Sequence, residues 1–172
     1  MARALDHYIG GKTVAGTSGR FDAVFDPNTG AVQAKVPLAA KDEVEATIAD
    51  AEAAQPAWAA TNPQRRARVL MKFLDLINRE MDPLAKLLSS EHGKTVPDAR
   101  GDTQRGLEVL EFVIGIPHLL KGEYIEGAGT GIDVYSLRQP LGVVAGTTPF
   151  NFPAMIPLWK AAPAIDCGNA HK

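Results

Sequence analysis

The stretch LGVVAGTTPFNFPAMIPLW, residues 141 to 159, constrains the fold of this chain more than any other. Residues 141 to 145 are continuously apolar up to Gly146, the pattern of a strand covered on both faces of a sheet. Residues 152 to 168 read as a helix, with AMIPLW and AAPAI as its apolar content. Between them lies a stiff turn in which Pro149 and Pro153, with Phe150 and Phe152, enclose one amide side chain, Asn151. A strand covered on both faces needs helices above and below it, so this segment predicts an α/β architecture.

The residues before it supply other elements. Residues 7 to 38 are rich in Gly, Thr and Val, and AVFDPNTGAVQAKVPLA predicts two short strands around an Asp-Pro-Asn-Thr-Gly turn. Helical periodicity then begins. Asp42 and Glu45 have capping-box spacing, with Val44, Ile48, Ala51 and Trp58 at helical steps, and Pro56 is expected to end or kink this helix. Asn62 and Pro63 restart it as N-cap and first helical residue, with Leu70, Phe73, Leu74, Ile77 and Met81 as the apolar stripe. Asp82-Pro83 repeats the device, and Leu84, Leu87 and Leu88 lead to Gly93. A further helix is predicted from Pro97 to Pro117, with Leu107, Leu110, Val113 and Ile114 facing the core. GEYIEG and GIDVYSLRQP alternate like a hairpin around AGTG. No second parallel strand is expected before the last residue, Lys172.

Composition narrows the function. With 18 basic and 20 acidic residues the net charge is −2, which offers nothing to nucleic acid or an anionic membrane. No run reaches about 18 apolar residues, the length of a membrane span, and the N-terminus lacks the apolar core of a secretory signal. The single cysteine, Cys167, excludes an internal disulfide and fits a reducing compartment, so a cytoplasmic location is expected. GGKT and HGKT end like phosphate loops, but Asp6 and Leu88 stand where such a loop needs its first glycine. GAGTGI fails the dinucleotide pattern at Ile132. The histidines at 7, 92, 118 and 171 share no metal-ligand spacing, so no metal is expected.

Two side chains remain as chemical candidates. Cys167 ends an apolar helix and reads as a packed thiol, not a nucleophile. Asn151 has two readings. Its carboxamide stands where a strand's C-terminal end meets a helix, the place where open α/β sheets bind ligands, and an amide N–H there suits a developing oxyanion. Equally, an Asn in such a turn can simply bond a neighbouring backbone amide.

The stretches YIGGKTVAGTSGRFDAVFDPNTGAVQAKVPLA, SSEHGKTVPDARGDTQRGLEVLEFVIGIPHLLKGEY and YSLRQPLGVVAGTTPFNFPAMIPLWKAAPAIDCGN resemble the N-terminal third of the aldehyde dehydrogenases. The branch they are most similar to is the CoA-acylating methylmalonate-semialdehyde dehydrogenases. The resemblance covers nearly the whole chain. It implies that Asn151 is the oxyanion-hole asparagine, that Thr148 and Phe150 line the NAD site, and that Arg105 meets the substrate carboxylate. It also implies NAD as cofactor, CoA as co-substrate and a homo-oligomer in the full-length family. On this resemblance residues 1–40 and 121–139 are oligomerisation-type strands, 41–120 a helical layer and 140–172 the start of the NAD-binding sheet.

Departures from the family pattern are as informative. CGNAHK stands where the family runs on into a strand ending in Lys-Pro; Lys172 falls two residues early and takes no role. Asp166 replaces a small apolar residue in a helix expected to be packed. The nucleophilic Cys and general-base Glu of the family lie beyond this sequence, so the chain is expected to be a truncated, inactive piece with an incomplete α/β fold. The alternatives are a non-catalytic remnant or oligomerisation module, or a segment of another NAD(P)-dependent aldehyde dehydrogenase.

Overall fold

A computed structural model describes residues 3–172. The first five strands are β1 (Arg3–Ala4), β2 (His7–Ile9), β3 (Lys12–Val14), β4 (Phe21–Phe25) and β5 (Val32–Pro37). Strands β2 and β3 form an antiparallel pair. In a separate sheet β5 lies between β1, parallel to it, and β4, antiparallel. The predicted Asp-Pro-Asn-Thr-Gly turn joins β4 to β5. Asp26 Oδ1 accepts from Asn28 N at 2.7 Å, the Asp26 carbonyl accepts from Gly30 N at 2.8 Å, and Gly30 takes φ 72°. A residue with a Cβ is disfavoured in that left-handed conformation, which is why the turn ends in glycine.

Helix α1 (Lys41–Ala59) departs from the sequence expectation in three ways. Its N-cap is Ala40, not Asp42, and Glu43 closes the first turn: one carboxylate oxygen accepts from Ala40 N and the other from Thr17 N, both at 2.7 Å. Those two backbone donors hold the Glu43 carboxyl below its ordinary range. Pro56 neither ends nor precedes a break in the helix, because it lies in the last turn, where one lost hydrogen bond removes little. The docking face is Glu43, Thr47, Ala51, Gln55 and Trp58. Val44 and Ile48, one position round the helix, stay exposed. Gln55 and Trp58 donate to the carbonyls of Gly168 and Ile165, so α1 is fastened by polar ends of side chains.

Helix α2 (Pro63–Arg79) starts as expected, with Asn62 Oδ1 accepting from Gln64 N at 2.9 Å. Leu70 and Ile77 are buried, while Phe73 points outward. Helix α3 (Met81–His92) begins one residue before Asp82, so Asp82 and Pro83 lie inside its first turn, where a missing N–H leaves no bond unmade. Gly93, at φ 84°, ends it. Helix α4 (Val96–Val113) is capped by Thr95, and a separate short helix, α5 (Ile116–Leu119), follows. The single helix expected to Pro117 divides here because Pro117 has no N–H for the Val113 carbonyl. Gly115 N turns back to the Phe112 carbonyl at 3.0 Å instead.

Strands β6 (Tyr124–Gly129) and β7 (Ile132–Tyr135) form the predicted hairpin, exposed along its whole length. Strand β8 (Val143–Val144), helix α6 (Met155–Asp166) and strand β9 (Ala170–His171) complete the chain. Strands β8 and β9 are parallel, so a second parallel strand does follow, contrary to expectation. The apolar run at 141–145 also gives only two ladder residues, both half-buried. A side chain takes the place of the ladder at its start: Asn169 Oδ1 accepts from Leu141 N at 2.7 Å and Gly142 N at 3.1 Å. The helix spans less than the expected 152 to 168, since residues 151 to 154 belong to the turn.

The core lies between α2, α4 and α6. Leu107, Leu110 and Val113 are at most 1 % exposed, and Leu70, Ile77, Met81, Ile116 and Ala162 pack with them. Each of the Leu, Ile, Val and Met side chains among them contributes about 1.5–3 kcal/mol on burial. Gly106 decides how closely α4 and α6 approach: a Cβ there would collide with the Leu158 side chain. This close packing fixes where the N-terminal end of α6, and the turn leading into it, can lie.

Arg66, 4 % exposed, joins three chain segments. Its guanidinium donates to the carbonyls of Asp166 (2.8 Å), Ala59 (3.2 Å) and Thr61 (2.5 Å), satisfying the loose ends of α1 and α6. The Asp166 side chain is fully buried, and neither carboxylate oxygen has a hydrogen-bond partner among the described residues. Burial raises its pKa to about 6, against the opposing pull of Arg66.

Candidate functional site

The turn between β8 and α6 carries the candidate site, and its two ends are held by different means. At the strand end, Gly146 N donates to the Lys172 carbonyl at 2.6 Å and Lys172 N donates to the Val144 carbonyl at 2.9 Å. The Lys160 ammonium reaches back from α6 to the Thr147 carbonyl. At the helix end, Met155 N donates to Asp102 Oδ1 at 2.8 Å. Asp102 comes from α4 and is 3 % exposed. It replaces the side-chain N-cap that α6 lacks and puts a negative charge at a helix N-terminus, where the macrodipole favours it.

Lys94 completes this arrangement. Its Nζ donates to Asp102 Oδ2 at 3.0 Å and to the Asn151 carbonyl at 3.2 Å, and lies 4.7 Å from the centre of the Phe152 ring. Asp102 thus spends both oxygens on the turn, one directly and one through Lys94. Lys94 sits in the short joint between α3 and α4, where Ser89 Oγ donates to its carbonyl at 2.7 Å. Thr95, the next residue, caps α4.

Thr148, Phe150 and Asn151 are all exposed on this turn, beside the C-terminal end of β8. The Phe150 ring lies 5.6 Å from that of His92 and helps line an apolar groove with Phe73, Leu84, Leu87 and Pro157. Arg105 is exposed on α4, and its carbonyl accepts from Trp159 Nε1 at 3.2 Å, so it lies beside the first half of α6. Its guanidinium makes no ion pair among the described residues. Three of the four predicted site residues thus lie on the turn before α6, while Arg105 lies on the neighbouring helix, its backbone beside Trp159 within α6.

Cys167 is not part of this site. It forms the C-cap of α6, the opposite end of the helix, and packs against the core. Burial raises its thiol pKa first, then the Asp166 charge, with Arg66 opposing both. A thiol so placed is held in its unreactive form. Among the described residues no group of three or more His, Cys, Asp or Glu side chains is arranged to hold a metal ion, and no helix is long and apolar enough to cross a membrane.

Lys94 and Asp102 are the side chains that the sequence reading missed. The available signal was Asp102 itself, a carboxylate within the buried stripe of α4 that runs through Ala99, Thr103, Gly106, Leu107 and Leu110. A charge on such a stripe implies a buried partner.

The aldehyde dehydrogenase family model matches residues 14–171. Over 165 residues the chain is 49 % identical to a malonate-semialdehyde dehydrogenase of Pseudomonas aeruginosa, covering 96 % of this chain and 33 % of that protein. It is 46 % identical over 169 residues to the acylating mitochondrial methylmalonate-semialdehyde dehydrogenase of Arabidopsis thaliana, covering 98 % of this chain and 28 % of the other. Among solved structures, a Sinorhizobium meliloti 1021 protein assigned as a methylmalonate-semialdehyde dehydrogenase, in complex with NAD, superposes with a TM-score of 0.97 at 63 % identity. That match covers 99 % of this chain and 35 % of the other. The methylmalonate-semialdehyde dehydrogenase of Oceanimonas doudoroffii gives 0.95 at 44 % identity, over 99 % of this chain and 35 % of its own. The chain thus spans about a third of the length of the relatives it matches.

Proposed function

The chain belongs to the aldehyde dehydrogenase family, and from that premise we propose that it forms the oxyanion side of a (methyl)malonate-semialdehyde dehydrogenase site. The observation that carries the reading is Asn151, exposed at the tip of a turn whose helix end is held by the side chains of Lys94 and Asp102 and whose strand end is held by backbone bonds with Lys172. A donor fixed before the reaction begins loses little on reorganisation when charge develops on a carbonyl oxygen, and this is what an oxyanion hole requires. In this role the Asn151 carboxamide donates an N–H to the oxygen of the tetrahedral adduct formed when a thiolate attacks the semialdehyde. The attacking thiol is not Cys167, whose raised pKa and position at the far end of α6 disqualify it.

Thr148 and Phe150 form one wall for NAD, at the carboxyl end of β8, where the β8–α6–β9 unit begins a parallel sheet. NAD supplies the hydride acceptor. Arg105, whose backbone lies beside α6, carries a guanidinium with no ion pair among the described residues, a group suited to a substrate carboxylate. CoA enters as the acyl acceptor of the acylating branch.

Grafting tests the reading. This chain replaces the corresponding third of the Sinorhizobium meliloti relative, and NADH formation is followed with methylmalonate semialdehyde, NAD and CoA. Turnover by the graft is expected, with Asn151→Ala lowering kcat by about 10²–10³, the usual loss of one oxyanion donor. A graft without turnover, or one that is indifferent to Asn151→Ala, overturns the reading.

A second reading, an association module for larger subunits, draws on the β6–β7 hairpin. Tyr124, Ile125, Ile132, Val134 and Tyr135 are 48–67 % exposed there. Co-expression with the same relative tests it: co-purification that is lost on Ile125→Lys and Ile132→Lys is expected, and its absence refutes the module.

A further inference from the structure

We infer that Lys94 is a positioning residue: held by Asp102, it fixes the Asn151 peptide and so sets the point from which the Asn151 carboxamide reaches. The inference rests on the oxyanion reading of Asn151 and adds the device that orients it. An amide at the tip of an exposed turn is useful to a transition state only if its direction is set beforehand. The chain has two means of setting it. Prolines on either side, Pro149 and Pro153, restrict the backbone. The Lys94 ammonium then takes the Asn151 carbonyl at 3.2 Å while its other contact, Asp102 Oδ2 at 3.0 Å, keeps it in place.

Burial makes the arrangement stiff. The side chains of Lys94 and Asp102 are 12 % and 0 % exposed, so the ammonium is not free to exchange the turn for water. The second Asp102 oxygen holds Met155 N, four residues further on, at 2.8 Å. One carboxylate therefore holds the chain at two points that follow the Asn151 Cα, the carbonyl of residue 151 through Lys94 and the amide of residue 155 directly. With Pro149 restricting the backbone before it, the swing of the Asn151 Cα–Cβ bond is narrowed, and two side-chain torsions remain to be chosen.

The contact of Lys94 with Asn151 is to the backbone. It leaves the carboxamide free to donate to a ligand, as a positioning group must. The flat face of Phe152 under the ammonium adds a cation–π contact and orders the residue after Asn151.

Two measurements test the inference. The first uses the 172-residue chain itself: hydrogen exchange resolved to single amides, for the parent and for Lys94→Met and Lys94→Arg. Lys94→Met, which keeps the length of the side chain and removes its charge, is expected to speed exchange of the Met155 and Ile156 amides, bonded to Asp102 and to the Phe152 carbonyl, at least tenfold. The α4 amides at 107–113 should stay within twofold, and Lys94→Arg should restore part of the protection. Equal acceleration at both places means a general loss of structure and overturns the inference, as does no change at either.

The second uses the graft. Lys94→Met is expected to lower kcat at least tenfold with the KM for NAD within twofold, and to add less than a further threefold once Asn151 is already Ala. A Lys94→Met loss that is the same in the Asn151→Ala background shows that Lys94 does not act through Asn151. A large Asn151→Ala loss with none for Lys94→Met refutes the positioning role and leaves the oxyanion reading standing. Indifference to Asn151→Ala removes both.

Discussion

Asp166→Ala should make this chain more stable at neutral pH. The carboxylate is fully buried, lacks any hydrogen-bond partner among the described residues and occupies the last position of α6. Negative charge is disfavoured at a helix C-terminus. Its pKa is raised from 3.8 to about 6. The folded state therefore keeps the proton through a range in which the unfolded state has lost it. Below the unfolded value both states are protonated and no penalty exists. As pH rises from about 4 to about 6, stability falls by about 1.4 kcal/mol per unit, and above that the loss is constant at no more than about 3 kcal/mol. Removing the carboxylate abolishes the penalty, while truncation to Ala leaves a small void costing about 1 kcal/mol. Arg66 is not orphaned, because its bonds are to three backbone carbonyls, which remain. The net expectation is a gain of about 1–2 kcal/mol at pH 7.5 that shrinks to zero or reverses by pH 4. Urea titrations followed by Trp58 emission, in a Trp159→Phe background, read this region directly, since Trp58 Nε1 donates to the Ile165 carbonyl at 2.7 Å. A variant less stable than the parent at pH 7.5, or an advantage that does not shrink toward pH 4, refutes the reasoning.

The 172-residue chain alone should bind NAD more weakly than about 10 μM, since one wall of a site supplies a minority of its contacts; calorimetry giving a tighter value overturns that. Its Cys167 should react with iodoacetamide at least tenfold more slowly at pH 7.5 than a free thiol, and chain assayed with semialdehyde, NAD and CoA should form no NADH; turnover abolished by Cys167→Ser refutes the packing assignment. The chain should also self-associate, because Leu141, Leu137 and Tyr8 are 73–88 % exposed and Phe25 55 %; a single monomer in sedimentation velocity with no hydrophobic-dye signal contradicts this.

What the sequence disclosed follows the range of the interactions involved. The Asp26–Gly30 turn and the Asn62-Pro63 helix start are determined within five residues, and both form as expected. The turn around Asn151 was visible from its prolines and aromatics, and Thr148, Phe150 and Asn151 lie exposed on it, with Arg105 on the neighbouring helix beside Trp159. Expectations failed where a distant group intervened. Glu43 caps α1 because Thr17 offers a second donor from another loop. The apolar run at 141–145 forms a two-residue ladder because Asn169 takes the Leu141 and Gly142 amides. The parallel strand β9 is too short to show periodicity, and it exists because β8 supplies its partners.

Asp102 and Asp166 show how far a residue type alone can be read. Both are buried carboxylates on otherwise apolar helix faces, and in sequence each is the same anomaly. Asp102 stands near the start of a neighbouring helix, with both oxygens occupied, by the Met155 amide and the Lys94 ammonium. Asp166 stands at the end of its own helix with neither oxygen bonded among the described residues, beside an Arg66 whose Nε and Nη1 donate to carbonyls instead. The macrodipole favours the first charge and opposes the second. Removing Asp102 would leave a buried ammonium and a helix N-terminus unpaired, a loss of about 3–5 kcal/mol, whereas removing Asp166 strands no partner. Opposite signs are therefore expected for the same substitution, Asp→Ala, at two positions of one buried layer. The difference comes from what each oxygen meets: Asp102 belongs to the structure that presents Asn151, and Asp166 is a charge that this packing does not accommodate.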